Sequence, residues 1–239
     1  MLVVAWVRSI AAYLFLIAYV LVVGVPALLV ALATGWARHL IVLGRLAAKV
    51  MRLTFGIGVD IDGLCHVVAD RPTVYVINHR SNVDVIVYEF LLPVCPRLKA
   101  IYKAELGRLP VIGRVLRAAG FVPVERRDRE RAIEAVDAAV DCLRAGDSFL
   151  LAPEGTRSRT GELLPFKKGG FVMAIKAQAP VVPIAITGSE RAMPPGRFYA
   201  TPDRVTIRIG EPVPTTGLTI DDRDRLAALV REKMLQLLH

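Results

Sequence analysis

The segment Thr73-Val-Tyr-Val-Ile77 continues directly into Asn78-His79-Arg80-Ser81-Asn82-Val83-Asp84. Five β-branched or aromatic residues in succession predict a buried strand, and Ser81 followed three residues later by Asp84 is an acidic variant of the helix capping box. A helix is therefore predicted over residues 82–92. A buried strand that leads into a helix is the repeating unit of parallel α/β sheets, so this stretch decides the fold class.

The same alternation of short apolar runs and helical patterns extends to the C-terminus. Further strands are predicted at residues 99–102, 121–124, 149–152, 181–186 and 205–209. Further helices are predicted at residues 129–144, 171–177 and 221–238. We therefore expect an α/β domain over residues 56–239, with a largely parallel central sheet flanked by helices.

The N-terminal part of the chain is different in character. Residues 9–37 contain no Asp, Glu, Lys or Arg, and a run of this length can cross a bilayer core, which takes about 20 residues. Trp6 and Trp36 flank the run, and tryptophan prefers the headgroup level. Pro26 permits either one kinked spanning helix or a hairpin that reverses there, within one leaflet. Residues 1–55 are expected to form a hydrophobic helical membrane anchor.

Basic residues follow the apolar run. Four of them fall on one stripe of the next predicted helix: Arg38, Arg45, Lys49 and Arg52. The whole chain of 239 residues is 54% hydrophobic and carries a net charge of +9. This composition favours an anionic membrane surface over nucleic acid as a partner. The positive-inside rule places the α/β domain at the cytoplasmic face of the membrane. The alternative for the stripe is the solvated face of an ordinary amphipathic helix.

His79 and Asp84 are the candidate catalytic residues. The turn before the helix start brings them together, and a carboxylate beside a histidine fixes its tautomer, orients its ring and stabilises the imidazolium. Such a pair can take a proton from a hydroxyl group of the substrate. The alternative is that His79 only satisfies backbone groups and Asp84 only caps the helix. The chain's four histidines do not cluster in sequence, so no metal site is predicted.

Several cations also follow predicted strands. They are Lys103, Arg126, Arg157 and Lys167. Each alone is more often a surface charge, but the carboxyl ends of strands gather at one edge of an open α/β sheet. Together with the His–Asp pair they would hold a phosphate group, arginine through its planar fork and lysine as a point charge.

Four blocks occur in a fixed order between about residues 72 and 186, roughly half of the chain. They are Asn78-His79 with Ser81 and Asp84, then Lys103 to Leu106 with Gly120 to Arg126, then Pro153-Glu-Gly-Thr-Arg157-Ser158, then Val182-Pro183-Ile184. Jointly they resemble the 1-acyl-sn-glycerol-3-phosphate acyltransferase family, the glycerolipid acyltransferases with an NHxSxxD motif. Ala152 departs from the pattern, because an aromatic residue often stands there in the family.

The resemblance implies a fold like that of the glycerol-phosphate acyltransferases and a reaction without metal, cofactor or covalent acyl-enzyme. A fatty acyl group would pass from acyl-CoA or acyl-carrier protein to the free sn-2 hydroxyl of lysophosphatidic acid. The product would be phosphatidic acid, made for phospholipid biosynthesis at a membrane, by implication the bacterial inner membrane. The expected partners are the phospholipid bilayer, the lysophospholipid acceptor and the thioester donor.

The resemblance also implies roles for individual residues. His79 would deprotonate the acceptor hydroxyl, and Asp84 would orient His79. The acceptor phosphate would be held by Lys103 and Arg157, joined by Arg126 and Lys167. Glu154, Gly155 and Thr156 are assigned to the same substrate-binding segment, with Glu154 positioning either Arg157 or the glycerol.

Two alternatives remain open from the sequence. One is a sibling acyltransferase that uses glycerol 3-phosphate, another lysophospholipid or a lyso-aminolipid as acceptor. The other is a non-catalytic membrane-bound lipid-binding protein, against which the intact pair of His79 and Asp84 counts.

Overall fold

The computed structural model describes residues 2–125 and 128–239. Within these residues, seven strands form one sheet in the order β1-β7-β6-β2-β5-β3-β4. They are β1 (Gly58–Asp62), β2 (Val74–Ile77), β3 (Leu98–Lys103), β4 (Val122–Val124), β5 (Ser148–Leu151), β6 (Val181–Thr187) and β7 (Arg204–Ile209). Neighbours are parallel except β6 and β7, which pair antiparallel. The predicted α/β fold with a largely parallel sheet is confirmed.

The central strands are buried on both faces. In β2, Tyr75 and Ile77 belong to one apolar cluster, whereas Val74 and Val76 belong to another. Successive side chains of a strand point to opposite faces, so these two clusters are the cores above and below the sheet. This double burial explains why the central strands consist of continuous apolar runs.

Helices cover both faces. They are α1 (Leu2–Tyr19), α2 (Val25–Thr34), α3 (Arg38–Phe55), α4 (Val87–Leu91), α5 (Ile112–Ala118), α6 (Arg129–Arg144), α7 (Gly169–Ala177), α8 (Ser189–Ala192) and α9 (Arg223–Leu238). Short 3₁₀ turns lie at Leu64–His66, Asn82–Ile86, Ala104–Arg108 and Ile220–Asp222. Helices α6, α7 and α9 supply one core, while α4 and the N-terminal helices supply the other.

The N-terminal segment is a helical hairpin, and of the two arrangements left open by the sequence the chain does not reverse at Pro26. Helices α1 and α2 are joined by a π-helix, Val20–Gly24, into one long helix that continues through Pro26. The amide of Val25 donates to the carbonyl of Val20, and the wider π turn accommodates the proline that follows. A reversal at Pro26 is therefore wrong. The helix ends at Gly35, which has a φ of 71°.

Helix α3 then returns along the long helix. The hydroxyl of Tyr19 donates to the carbonyl of Leu43 over 3.0 Å, and Arg8 Nε donates to the carbonyl of Thr54 over 2.8 Å. The two sequence positions sum to 62 in each pair, which is the signature of antiparallel alignment. The long helix, Leu2–Thr34, is long and apolar enough to cross a membrane, and only 11% of its most apolar stretch is buried.

Two bases of the predicted stripe face the α/β domain. Arg52 pairs with the buried carboxylate of Glu89, and Arg45 donates to the backbone carbonyl of Glu89 over 2.8 Å. The expectation that all four bases face a membrane is therefore wrong for Arg52. The buried carboxylate of Glu89 on α4 holds Arg52, whereas Arg38, Arg45 and Lys49 remain exposed.

Candidate active site

The site begins where β2 ends. The side chain of Asn78 is fully buried and forms two hydrogen bonds to the backbone of β6: Nδ2 donates to the carbonyl of Ile186 over 2.8 Å, and Oδ1 accepts from its amide over 2.7 Å. These bonds continue the ladder between β2 and β6 past the last strand residue. They hold the backbone of His79 rigidly at the carboxyl edge of the sheet.

Asp84 organises the turn that carries His79. A single oxygen, Oδ2, accepts from the amides of Arg80 and Ser81, each over 2.8 Å, and from Nδ1 of His79 over 2.7 Å. Ser81 Oγ in turn accepts from the amide of Val83, which completes the predicted capping box. One carboxylate thus shapes the backbone and orients the ring.

The protonation of His79 follows from this contact. A carboxylate can only accept, so the proton shared with Asp84 sits on Nδ1 and leaves Nε2 free to take another. Asp84 is 1% exposed, whereas the His79 side chain is 28% exposed. The carboxylate is therefore shielded from water while the ring remains open to a substrate. This is the arrangement that a general base requires.

Two residues of the third sequence block hold the backbone of His79. The amide of His79 donates to Oε1 of Glu154 over 2.7 Å, and its carbonyl accepts from the amide of Ser158 over 2.8 Å. Oε2 of Glu154 accepts from the amide of Leu164 over 2.9 Å. Burial raises the pKa of Glu154, although these backbone hydrogen bonds oppose the shift. Glu154 thus contacts the catalytic turn rather than Arg157.

Arg157 lies beside the same turn. Its Nη1 donates to Oδ1 of Asn82, the residue that follows Ser81. Because Ser158 bonds to His79, the guanidinium is one residue from the segment that holds the base. The structure therefore brings Arg157 and His79 to the same edge of the sheet.

Lys167 folds over Gly155. The Lys167 amide donates to the carbonyl of Pro153 over 2.8 Å. Gly155 has a φ of 69°, and a Cβ there would lie 2.7 Å from Cε of Lys167. The positive φ favours glycine at this position, and the end of the lysine side chain packs directly over it. Thr156, which precedes Arg157 in the chain, is exposed.

The remaining predicted cations are less closely placed. Lys103 ends β3, which is separated from β2 by β5. Its Nζ pairs with Glu105 over 2.9 Å, and both side chains are about half exposed. Arg126 lies outside the described residues. Of the predicted cluster, the structure thus places Arg157 beside the turn that carries His79, and Lys167 against Gly155.

Other residues of the site were not singled out from the sequence. Asn78, Ser81 and Ser158 were quoted only as parts of motifs, yet each makes a hydrogen bond that fixes the turn. Asn82 was quoted only as part of the same stretch and was given no role, although it contacts Arg157. The signal that could have found them is the density of polar residues between two buried apolar runs.

An apolar cavity of about 200 Å³ adjoins the turn. It lies between the N-terminal hairpin and the helix start, and its lining includes Tyr13, Met51, Phe55, Val83, Ile86 and Met193. Asn82, which contacts Arg157, also borders it. The cavity therefore joins an apolar space to the polar edge where His79 lies. Among the described residues, no three His, Cys, Asp or Glu side chains gather in a group that could hold a metal ion.

The mixed sheet and the shielded His–Asp pair define an α/β protein with a carboxylate-bound histidine at the carboxyl edge of its central strand. A family model described as Acyltransferase matches residues 58–187, more than half of the chain. The chain belongs to the acyltransferase family.

Named relatives agree with the family model. The chain is 34% identical over 192 residues to human 1-acyl-sn-glycerol-3-phosphate acyltransferase alpha, covering 80% of this chain and 67% of that protein. It is 39% identical over 138 residues to the chloroplastic acyltransferase BAT2 of Brassica napus, covering 57% of this chain and 39% of that one. The match covers 64% of the length of a relative from mouse and 59% of the length of one from Caenorhabditis elegans. The chain therefore spans about two thirds or less of these relatives.

A solved structure matches nearly the whole chain. The crystal structure of the 1-acyl-sn-glycerophosphate (LPA) acyltransferase PlsC from Thermotoga maritima superposes with a TM-score of 0.81 at 26% identity. The match covers 98% of this chain and 94% of that one, so it includes the N-terminal hairpin.

Proposed function

We propose that the protein transfers a fatty acyl group from an acyl thioester to the free sn-2 hydroxyl of lysophosphatidic acid, giving phosphatidic acid. The observation that carries this proposal is the 2.7 Å contact between His79 and the buried Asp84, with Arg157 on the adjoining segment. The names of the relatives from human and Brassica napus, and of the Thermotoga maritima structure, support the same reaction.

The chemistry follows from the free nitrogen of His79. Nε2 takes the proton of the acceptor hydroxyl while its oxygen attacks the thioester carbonyl carbon. Asp84 stabilises the resulting imidazolium through Nδ1. When the tetrahedral intermediate collapses, the carbon–sulfur bond breaks and the imidazolium returns its proton to the departing thiolate. No side chain of the protein becomes acylated, and no cofactor takes part.

Arg157 and Lys167 are proposed to hold the acceptor phosphate. Arginine offers two parallel N–H donors to a phosphate, and lysine adds a point charge. Lys103, Arg126 and Thr156 are proposed to complete the binding surface. The apolar cavity beside Asn82 is suited to a hydrocarbon chain of a bound lipid, because its lining is largely apolar. Either acyl-CoA or acyl-carrier protein can supply the thioester.

We also propose that the hairpin attaches the protein to the cytoplasmic face of a membrane, the inner membrane in a bacterium. Both ends of the long helix touch the α/β domain: Ser9 Oγ accepts from the amide of Ala200 over 2.9 Å, and Leu28 packs with Val111 and Val115. A helix fixed along the domain in this way is suited to lie within one leaflet. Its exposed apolar side chains would then lie among the acyl chains of the lipids.

The deciding experiment supplies detergent-solubilised protein with labelled acyl-CoA and an equimolar mixture of lysophosphatidic acid and glycerol 3-phosphate. The proposal expects label in phosphatidic acid. Label in lysophosphatidic acid would identify the sibling activity, and label in neither lipid would contradict both. His79→Ala is the matched control, because it removes only the base.

A further inference from the structure

The loop after α8 presents an exposed aromatic ring. Its sequence is Pro194-Pro-Gly-Arg-Phe-Tyr199, and the amide of Arg197 donates to the carbonyl of Pro194 over 3.1 Å to close a turn. Phe198 is 76% exposed, so its ring packs against little of the chain. The loop borders a groove of about 440 Å³, which Trp6 of α1 also lines.

The loop is fixed to the N-terminal helix. The rings of Trp6 and Tyr199 lie 4.7 Å apart, and Ser9 Oγ accepts from the amide of Ala200 over 2.9 Å. The long helix, from α1 into the π turn, carries a stripe of exposed apolar side chains at spacings of three and four residues: Val3, Val7, Ile10, Leu14, Ile17 and Leu21. A stripe with this spacing covers one face of a helix, and Trp6 sits at its edge. The apolar surface is therefore continuous from α1 towards the loop.

A cation accompanies the aromatic side chains. The guanidinium carbon of Arg197 lies 4.8 Å from the ring centre of Tyr199. Tryptophan and tyrosine concentrate at the headgroup level of membranes, and arginine attracts anionic headgroups. A single exposed phenylalanine needs no explanation on its own. A phenylalanine beside an interfacial aromatic pair, an arginine and an apolar helix face is suited to a lipid surface.

We propose that the loop of residues 194–199 is a second membrane-docking site. Phe198 inserts among the acyl chains, Trp6 and Tyr199 lie at the headgroups, and Arg197 pairs with lipid phosphates. The proposal rests on the membrane attachment proposed above. It assigns a binding surface to a part of the α/β domain outside the hairpin.

This docking site is directly connected to the active site. The residue before the loop, Met193, accepts a 2.6 Å hydrogen bond from Ser81 Oγ through its carbonyl. Ser81 caps the helix that carries Asp84, and Met193 also lines the apolar cavity. Docking of the loop would therefore hold the cavity close to the level at which lipid acceptors lie.

The test places an environment-sensitive NBD dye on single cysteines in the full-length protein. The accessible thiols Cys65 and Cys142 are first replaced by serine. Dyes are then attached in Phe198→Cys, in Ile10→Cys on the α1 stripe, and in Asp221→Cys, whose native side chain is fully exposed before α9. Fluorescence is recorded with vesicles of phosphatidylcholine and phosphatidylglycerol. We expect blue-shifted emission at positions 198 and 10, and unchanged emission at position 221.

Each other outcome is distinguishable. A shift at position 10 without one at position 198 overturns the loop proposal and leaves the membrane attachment of the hairpin intact. No shift at either position overturns both. A shift at position 198 that depends on protein concentration and not on vesicles identifies contact between two copies, and it also overturns the proposal.

Two substitutions test how much the loop contributes to vesicle binding. Phe198→Ser is expected to weaken vesicle binding about tenfold, because it removes a buried aromatic side chain from the lipid. Arg197→Gln is expected to weaken binding about fivefold on vesicles with phosphatidylglycerol but not on pure phosphatidylcholine, and Arg197→Lys to restore it. Both variants should acylate dispersed short-chain acceptor at the normal rate. Unchanged vesicle binding in both variants would contradict the proposal.

Discussion

Arg52 and Glu89 form a two-pronged ion pair, with Nε and Nη2 of the guanidinium donating to the two carboxylate oxygens over 2.8 and 2.9 Å. Their side chains are only 13% and 4% exposed. The pair joins α3 of the hairpin to α4, the helix that begins three residues after Asp84. The N-terminal hairpin and the turn that carries His79 are therefore parts of one packed unit.

Removing one partner of this pair should be costly. Glu89→Ala leaves Arg52 buried without its carboxylate, and we expect the free energy of unfolding to fall by about 3–5 kcal/mol. Asp224→Ala removes the partner of Lys168 in an exposed pair and should change it by less than about 1 kcal/mol. Urea denaturation in detergent measures both. Equal effects would show that the Arg52–Glu89 pair contributes no more to the free energy of unfolding than an exposed pair does.

The base should be indispensable for turnover. We expect His79→Ala and Asp84→Asn each to lower kcat by about 10²- to 10⁴-fold without unfolding the protein, because each disables proton transfer. The double variant should be little worse than either single one, since the two side chains act as a unit. Steady-state rates with circular dichroism as a folding check decide this. Cys65→Ser is the control and should be fully active.

Arg157 should matter through the acceptor phosphate. A lost charge-assisted hydrogen bond costs about 1.5–3 kcal/mol, so Arg157→Ala should raise the acceptor KM about 10- to 100-fold. Arg157→Lys should recover only part of this, because the fork is lost. Asn82→Ala, which removes the partner of the guanidinium, should give a smaller increase. An equal loss with a phosphate-free acceptor would contradict phosphate binding.

Glu154 should leave a signature in the pH dependence of stability. Burial raises its pKa above the ordinary 4.5, so the folded chain binds this proton more tightly than the unfolded chain does. Its contribution to the free energy of unfolding is then greatest in acid and falls as pH rises from about 4.5 through the folded-state pKa. Glu154→Gln does not titrate. The stability of the wild type relative to this variant should fall over that window, and a constant difference would be contrary to expectation.

Membrane attachment should resist salt. The exposed apolar side chains of the long helix are held by burial in lipid, which ions do not screen, whereas headgroup contacts of Arg38 and Lys49 are screened at about 1 M salt. We expect the full-length protein to sediment with membranes in high salt and to require detergent for release. A protein that stays in solution without detergent would show that the helix is covered in another way.

The features that could be predicted from the sequence are those that depend on residues close together in the chain. The buried strands, the capping box at Ser81 and the contact between His79 and Asp84 follow from neighbouring residues. Strand β1 escaped prediction, because its five residues include two aspartates and a glycine at the sheet edge. Helix α5 has only seven residues, with Gly113 inside it, too few to show a helical period.

Long-range contacts could not be predicted in the same way. Arg52 finds an acid 37 positions away, and nothing near it in sequence distinguishes it from the exposed Lys49. The sequence also left open whether the chain reverses at Pro26 or continues through it as one helix. Pro26 normally interrupts a helix, but the π turn before it removes the conflict, and that turn has no sequence signature of its own.

The three bonds converging on Oδ2 of Asp84 make the number of residues between His79 and Asp84 a fixed length. An inserted or deleted residue would displace the carboxylate by at least about 1.5 Å along the chain, beyond what a 2.7 Å hydrogen bond tolerates. Substitutions at exposed Asn82 would leave that length unchanged. A library built on this segment should therefore return many active variants that carry substitutions, and none that carries an insertion or a deletion.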